Sequence, residues 1–293
     1  MITIIIPTYN RASVIPATLN SVLNQEYRDW ECFVVDDYST DNTENVIRQY
    51  IEKDSRFRYL KNERKKGAQG ARNTGLYHSN SEWEIFFDSD NLMHPDFLLK
   101  LTAKIEDNVD VIHSFSNVID IHTKEKKKIF NWRNYGEIHD KLFNLQTYVD
   151  FNQAIIRKNK LLEISGLDED CPSMQEWDTH IRLSKIAKYT TVEESLLDYF
   201  VGGKDAISTD TKREVIGRLF ILRKFLSEWR QHGIGFKQFV KQIETYIARN
   251  DDENFKKNAS FELKQLTKGI NLYFFSDCLK HKANQIYYYF SRK

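Results

Sequence analysis

A chain of 293 residues holds one large α/β domain with an appendage, and its 43 Lys+Arg against 42 Asp+Glu create no global field that would select nucleic acid. Three cysteines, Cys32, Cys171 and Cys278, are few, odd in number and widely spaced, which excludes a disulfide framework and a zinc pattern and points to reduced thiols. The opening MITIIIPTYN is too short for the core of a signal peptide, and no run reaches the roughly 20 apolar residues of a membrane helix, so a cytoplasmic chain that does not span a bilayer is expected.

The first hundred residues alternate strand and helix signals. Thr3–Ile6 reads as a buried strand ended by Pro7, followed by a helical pattern through Val14, Leu19, Val22 and Leu23. Trp30–Val35 is a second strand running into Asp36 and Asp37, and Asp41 with Glu44 three residues on predicts a capping box. Arg56–Leu60 is a third strand, Ala68–His78 a helix, and Glu84–Phe87 a fourth strand running into Asp88-Ser89-Asp90. Pro95 suits the first turn of another helix, with Phe97, Leu98, Leu101 and Ile105 on one face. This alternation predicts an α/β fold with a mostly parallel sheet wrapped by helices, and in such sheets ligands collect beyond the carboxyl ends of the strands.

Further on, Val109–Ile121 and Lys128–Trp132 read as a hairpin or bent strand pair around the charged stretch His122–Lys127. Val149–Arg157 is another strand, Ser165–Cys171 a loop and Trp177–Ala187 a helix. After about Asp205 the chain reads as helical, with Ile216, Leu219, Phe220, Leu222 and Phe225 at helical spacing. Residues 1–208 are therefore expected to form the main domain and 209–293 a helical C-terminal region.

Three polar clusters follow strand ends: Pro7–Arg11, Asp36–Thr43 and Asp88–Asn91. Asp88 and Asp90, one residue apart at the end of a buried strand, form a pair able to share one Mg2+ or Mn2+, which prefer oxygen ligands and leave places for substrate phosphates. Taken alone, the same residues more often mark a solvated turn or helix cap.

Jointly, Ile4-Ile5-Ile6-Pro7-Thr8-Tyr9-Asn10-Arg11, Phe33-Val34-Val35-Asp36-Asp37-Tyr38-Ser39, Gly70-Ala71-Arg72-Asn73-Thr74-Gly75 and Asp88-Ser89-Asp90 resemble glycosyltransferase family 2, of the GT-A fold, in family order. Gly166-Leu167-Asp168-Glu169 followed by Gln175-Glu176-Trp177-Asp178 looks like the family's acceptor-side segment, and the resemblance covers about residues 1–208. It implies an inverting, metal-dependent transfer from a nucleotide-sugar, UDP favoured, to an acceptor hydroxyl of a glycan or lipid-linked glycan. Pro7, Thr8, Tyr9, Arg11, Asp36, Asp37, Arg72, Asp88 and Ser89 would meet the nucleotide, and Asp90 with Asp88 the metal. Glu176 falls where the family keeps its general base, with Asp178 the rival and Trp177 an acceptor wall. Leu197–Ser208 looks like the segment that closes over the diphosphate; relatives carry Arg and His where this chain has Phe200 and Gly202, and Lys204 and Ser208 would contact phosphate instead.

Residues 264–293 carry six Lys/Arg against one Asp and seven aromatics, a composition suited either to an anionic membrane surface or to packing on the domain or a second subunit. A nicotinamide-dependent oxidoreductase predicts a Gly-x-Gly-x-x-Gly turn after the first strand, and Pro7–Arg11 contains no glycine. A processive synthase would bring membrane spans and a Gln-x-x-Arg-Trp motif, which the sequence lacks. A non-catalytic nucleotide- or glycan-binding module on the same fold remains the alternative to a single-addition enzyme.

Overall fold

The computed structural model describes residues 1–202 and 210–268. The chain divides into two compact units. The first comprises Met1–Glu137, Val149–Glu169 and Thr179–Val201; the second comprises Ile138–Tyr148, Asp170–Asp178 and the described residues from Gly202 onward. In this division two segments that precede residue 208 group with the helical C-terminal region.

The first unit begins with alternating elements. They are β1 (Ile2–Thr8), α1 (Ile15–Leu23), β2 (Trp30–Asp36), α2 (Thr43–Lys53), β3 (Phe57–Lys61), α3 (Ala68–His78) and β4 (Trp83–Phe86). β1 is buried throughout except at Pro7, and β2 throughout, as a strand covered on both faces requires. This explains the apolar runs Ile4–Ile6 and Cys32–Val35, while the buried Thr3 hydroxyl donates to the buried Glu31 carboxylate at 2.9 Å. β2, β1 and β4 lie side by side in parallel, with β3 outside β2. α3 packs closely on this layer: a Cβ added at Gly75 would stand 2.5 Å from Ile5 Cγ2, and one at Gly70 would stand 1.8 Å from the Lys65 carbonyl. Both positions thus demand glycine for lack of space.

The second half of the sheet is mixed. β5 (Leu92–Met93), β6 (Val111–Asp120), β7 (Lys126–Phe130), β8 (Ala154–Arg157) and β9 (Tyr189–Val201) complete it. The strand order is β3-β2-β1-β4-β8-β6-β9-β5, with β7 on β6. β8 runs antiparallel to β4 and β6, β7 antiparallel to β6, β5 antiparallel to β9, while β6 and β9 are parallel. The hairpin around 122–127 forms as expected, with an irregular register between Val118 and Ile119. α4 (Phe97–Thr102) stops short of Ile105, which is exposed.

The expected capping box at Asp41 does not form. Asn42 occupies the cap position of α2 and makes no side-chain cap bond. The Asp41 carboxylate instead accepts the Thr43 N–H at 3.0 Å and the Ala12 N–H at 3.1 Å, bracing one strand-end loop against another. Glu44 turns toward Arg48 and Tyr59.

α7 (Gln175–Leu183) begins in the second unit, and the division passes between Asp178 and Thr179. The second unit also contains α5 (His139–Phe143), α8 (Thr211–Lys224), α9 (Leu226–Gln231), α10 (Gly233–Ala248) and α11 (Glu253–Leu266); α6 (Lys158–Glu163) belongs to the first. Its centre is aromatic: Trp229 stacks on Phe239 with ring centroids 4.4 Å apart, and Trp177 meets Phe239 edge-on at 5.2 Å. Asp210 caps α8 through the Lys212 and Arg213 N–H groups, and Asp252 caps α11 through the Phe255 N–H. No described helix is long and apolar enough to cross a membrane. Of the cationic, aromatic tail, residues 269–293 lie outside the described residues.

Candidate functional site

The carboxyl ends of β1, β2 and β4 lie together because the strands are parallel and in register, Thr8 opposite Asp36 and Ile5 opposite Phe86. Their extensions stay laced: Asp37 N–H donates to the Thr8 carbonyl at 2.8 Å and Phe87 N–H to the Ile5 carbonyl at 2.9 Å. Pro7–Arg11, Asp36–Asp37 and Asp88–Asn91 therefore share one edge of the sheet, as expected for the three polar clusters.

Both acids at the end of β2, Asp36 and Asp37, are buried and internally bonded. Asp36 Oδ1 accepts from the Ser39 N–H at 2.9 Å and its hydroxyl at 2.5 Å, and Oδ2 from the Tyr59 hydroxyl at 2.7 Å. Burial and that bond raise the Tyr59 pKa, keeping the phenol a donor. Asp37 accepts the Asn62 side-chain amide at 2.7 Å and the Gly67 N–H at 2.8 Å, which pins the loop after β3 to the start of α3. Asn62 gave no signal in the sequence, since its partner lies 25 residues away. Thr8 is buried, and its Oγ1 has no hydrogen-bond partner. Tyr9 and Tyr38 are exposed on the same edge, with the Lys66 ammonium 5.4 Å from the Tyr9 ring centroid. Arg11 is half-buried, and Ser89 is buried.

Arg72 is not a surface residue of its helix: it is 4% exposed and points at the end of β4. It donates to Asp88 Oδ1 at 2.7 Å and to Gln69 at 2.7 Å, its guanidinium 5.2 Å from the Phe151 ring centroid. Asn152 donates to Asp88 Oδ2 at 2.8 Å and accepts the Asp88 N–H at 2.7 Å. Asp88 is thus held at its backbone and both carboxylate oxygens. Asp90, two residues on, has no described side chain hydrogen-bonded to its carboxylate and is exposed as a residue. Its carboxylate still lies close enough to surrounding atoms that partial burial, then the charge of Asp88, pushes its pKa up to about 6; Arg11 pulls the other way.

Among the described residues no three His, Cys, Asp or Glu side chains converge as a metal cage. A Mg2+ or Mn2+ that keeps waters and substrate phosphates needs only one or two carboxylates. The donor set fits that case: Asp90 offers an oxygen ligand with no competing side chain among the described residues, while the bound oxygens of Asp88 suit an outer contact.

In α7, Glu176 is half-buried in the first turn. Asp178 is fully buried and accepts the Lys224 ammonium at 2.5 Å. That pairing gives Asp178 a place in the core of the second unit and weakens it as a rival base. Trp177 is 2% exposed among Trp229 and Phe239, so it offers no wall to an acceptor, contrary to expectation. Glu169 accepts the Asn73 amide at 2.8 Å and also pairs with Arg64, and Asn73 in turn accepts the Leu167 N–H at 2.9 Å. The Gly166–Glu169 loop is therefore fastened to α3. Phe200, next to last in β9, has its N–H on Asn91 Oδ1 at 3.1 Å, tying that strand to the turn of Asp88 and Asp90. Lys204 and Ser208 lie outside the described residues.

Comparison with known proteins identifies the family and the fold. Residues 3–164 match the model of glycosyl transferase family 2. A UDP-Glc:α-D-GlcNAc-diphosphoundecaprenol β-1,3-glucosyltransferase of Escherichia coli is 36% identical over 121 residues, 41% of this chain and 47% of that protein, so the match spans under half of that relative. The structure of Staphylococcus aureus TarS in complex with UDP-GlcNAc superposes with a TM-score of 0.61 at 17% identity, covering 90% of this chain and 88% of that one. A Pyrobaculum calidifontis mannosyltransferase in complex with GDP-Man and Mn2+ gives 0.61 at 16% identity, covering 91% and 85%. The mixed sheet flanked by helices is the GT-A fold, and with more than half of its length matched, the chain belongs to glycosyltransferase family 2.

Proposed function

We propose that this protein is an inverting, single-addition glycosyltransferase. It moves a sugar from a UDP-sugar to a hydroxyl of a glycan or lipid-linked glycan in surface-glycan biosynthesis, with Mn2+ or Mg2+ as cofactor. The observation that carries the reading is the divided carboxylate pair at the end of β4: Asp88 clamped by Arg72 and Asn152, Asp90 left to the open side. The buried, unpartnered Thr8 Oγ1 and the acids Asp36 and Asp37 on the same edge supply acceptors and a donor for a nucleobase. The E. coli relative is named for a UDP-sugar and a β-linked product. Since UDP-glucose carries its sugar in α linkage, that relative's name supports inversion.

Asp90, with Asp88 behind it, would hold a divalent cation, which would supply charge neutralisation for the leaving group. Arg72 holds Asp88 in place, and Arg11 adds positive charge near the same turn. Glu176 takes the acceptor hydroxyl proton as its oxygen bonds to the anomeric carbon. The anomeric carbon–phosphate oxygen bond breaks with its electron pair, and the nucleoside diphosphate leaves. Peripheral attachment of a cytoplasmic enzyme to the membrane that carries a lipid-linked acceptor would use the cationic, aromatic residues 264–293.

The test is a melting-temperature screen with UDP, GDP and dTDP, with Mn2+ and with EDTA, because a ligand bound only by the folded state raises its melting point. UDP with Mn2+ is expected to give the largest rise. Equal responses in EDTA would overturn the metal-dependent reading, and a preference for GDP would reassign the donor.

A further inference from the structure

Asp150, Phe151 and Asn152, in and just before a single 3-10 turn (Phe151–Gln153), each act on the turn that carries Asp88 and Asp90. Asp150 Oδ1 accepts the Asn152 N–H at 2.9 Å and its Nδ2 at 2.8 Å. Nδ2 also donates to Asp88 Oδ2, and Oδ1 accepts the Asp88 N–H. With carboxylates on one side and an N–H on the other, only one orientation of the amide satisfies every contact. Phe151 lies under the Arg72 guanidinium and meets Phe86 edge-on at 5.3 Å, which restricts the arginine to its place on Asp88. Asn152 is 1% exposed, so water does not substitute for these bonds.

We propose that Asn152 is a positioning residue for the cation site: it fixes Asp88 at main chain and side chain, and the main chain then carries Asp90 to where a divalent cation and diphosphate meet it. The inference rests on the proposed function. Among the described residues no other side chain bonds the Asp90 carboxylate, and the backbone hydrogen bond it accepts is from its own N–H, so its position follows the main chain that Asp88 anchors. Residues that orient ligands from behind typically cost roughly 10–100-fold in metal affinity when removed.

The experiment is calorimetric titration of UDP into the full chain in Mn2+ and in EDTA, with uridine as the metal-independent probe. Asn152→Ala is expected to weaken UDP in Mn2+ by roughly 10–100-fold while leaving uridine, and UDP in EDTA, within about twofold of the native protein. Should that variant fail to fold, Asn152→Ser keeps one short hydroxyl, which cannot replace the amide's two donor contacts and its acceptor contact together; the same selective loss is expected. Equal losses in all three titrations would show a general structural role and overturn the inference. A native protein that gains from Mn2+ beside a variant that gains as much would overturn this inference alone. A native protein that gains nothing from Mn2+ would overturn the metal-dependent function and the inference with it.

Discussion

Two carboxylate pairs in this chain have the same spacing and are divided by different means. Asp88 and Asp90 sit in the turn after β4, Glu176 and Asp178 in the first turn of α7. In each pair one member is held by a cation, Asp88 by Arg72 at 2.7 Å and Asp178 by Lys224 at 2.5 Å. The other member is more open: Asp90 is exposed, and Glu176 is half-buried. On the helix the division follows from geometry. Residues two apart point about 200° from one another around a helix of 3.6 residues per turn, so a buried Asp178 turns Glu176 outward. No such period acts in the turn, where Arg72 and Asn152 impose the division from outside. The helical pair should therefore survive changes among its neighbours, and the turn pair should not.

The strongest test of that comparison lies in the helix. Glu176→Gln keeps size and removes basicity; transfer should fall about 10²–10⁴-fold while the melting temperature barely moves. A modest loss of rate would show that Glu176 is only a favourable first-turn charge, worth roughly 0.3–1 kcal/mol. Product analysis adds an independent check, because an α-linked donor should give a β-linked product. In the turn, Asp90→Ala should abolish the Mn2+-linked gain in UDP affinity and leave the fold intact. Retention of that gain would make Asp88 the ligand and reverse the roles within the pair.

Asp178→Asn tests the buried member, with a smaller expected effect that falls on stability. The Lys224 ammonium would lose its charged partner but is itself partly exposed, so water rehydrates it and limits the cost to about 1–3 kcal/mol. Urea unfolding should record that loss, and transfer per folded molecule should stay near native. If Asp178→Asn stops transfer and Glu176→Gln does not, the base is Asp178, and the comparison is broken at its root.

The acids were legible in the sequence; the groups that hold them were not. Asp36, Asp37, Asp88 and Asp90 stand at strand ends that hydrophobic runs mark clearly, and α3 occupies the predicted residues 68–78. Asn62 and Asn152 act on partners 25 and 64 residues away, a relation no local pattern carries. β9 was missed for a related reason. Its Tyr189–Val192 start suits a strand, but Glu193-Glu194 breaks the alternation where the register with β6 shifts, between Ser114 and Phe115. Trp177 failed as an acceptor wall because its neighbours Trp229 and Phe239 come from helices far along the chain.

The smallest expected effect concerns the pH at which either pair is studied. His180 lies on α7 two residues beyond Asp178, and His113 on β6; both are fully buried. His113 Nε2 is shared by the Asn134 amide at 3.0 Å and the Thr191 hydroxyl at 3.0 Å, and His180 Nδ1 meets the Tyr189 hydroxyl at 3.1 Å. Burial lowers the pKa of His113 to about 4 and that of His180 to about 3, the latter helped by the neighbouring His113. Unfolded, each takes up a proton near pH 6.5. Between those values the unfolded chain binds more protons than the native one, so stability rises with pH and is lost as pH falls below about 6.5. The loss amounts to about 1 kcal/mol for each histidine by pH 5.5. Urea midpoints should therefore drop between pH 7.5 and pH 5.5, and drop less in His113→Gln, which keeps a hydrogen-bonding side chain without the titration. A midpoint unchanged over that interval would show that the native protein takes up these protons. With the expected slope, an acid limb in the activity profile of Glu176 has to be read against the folded fraction at each pH before it is assigned to the base.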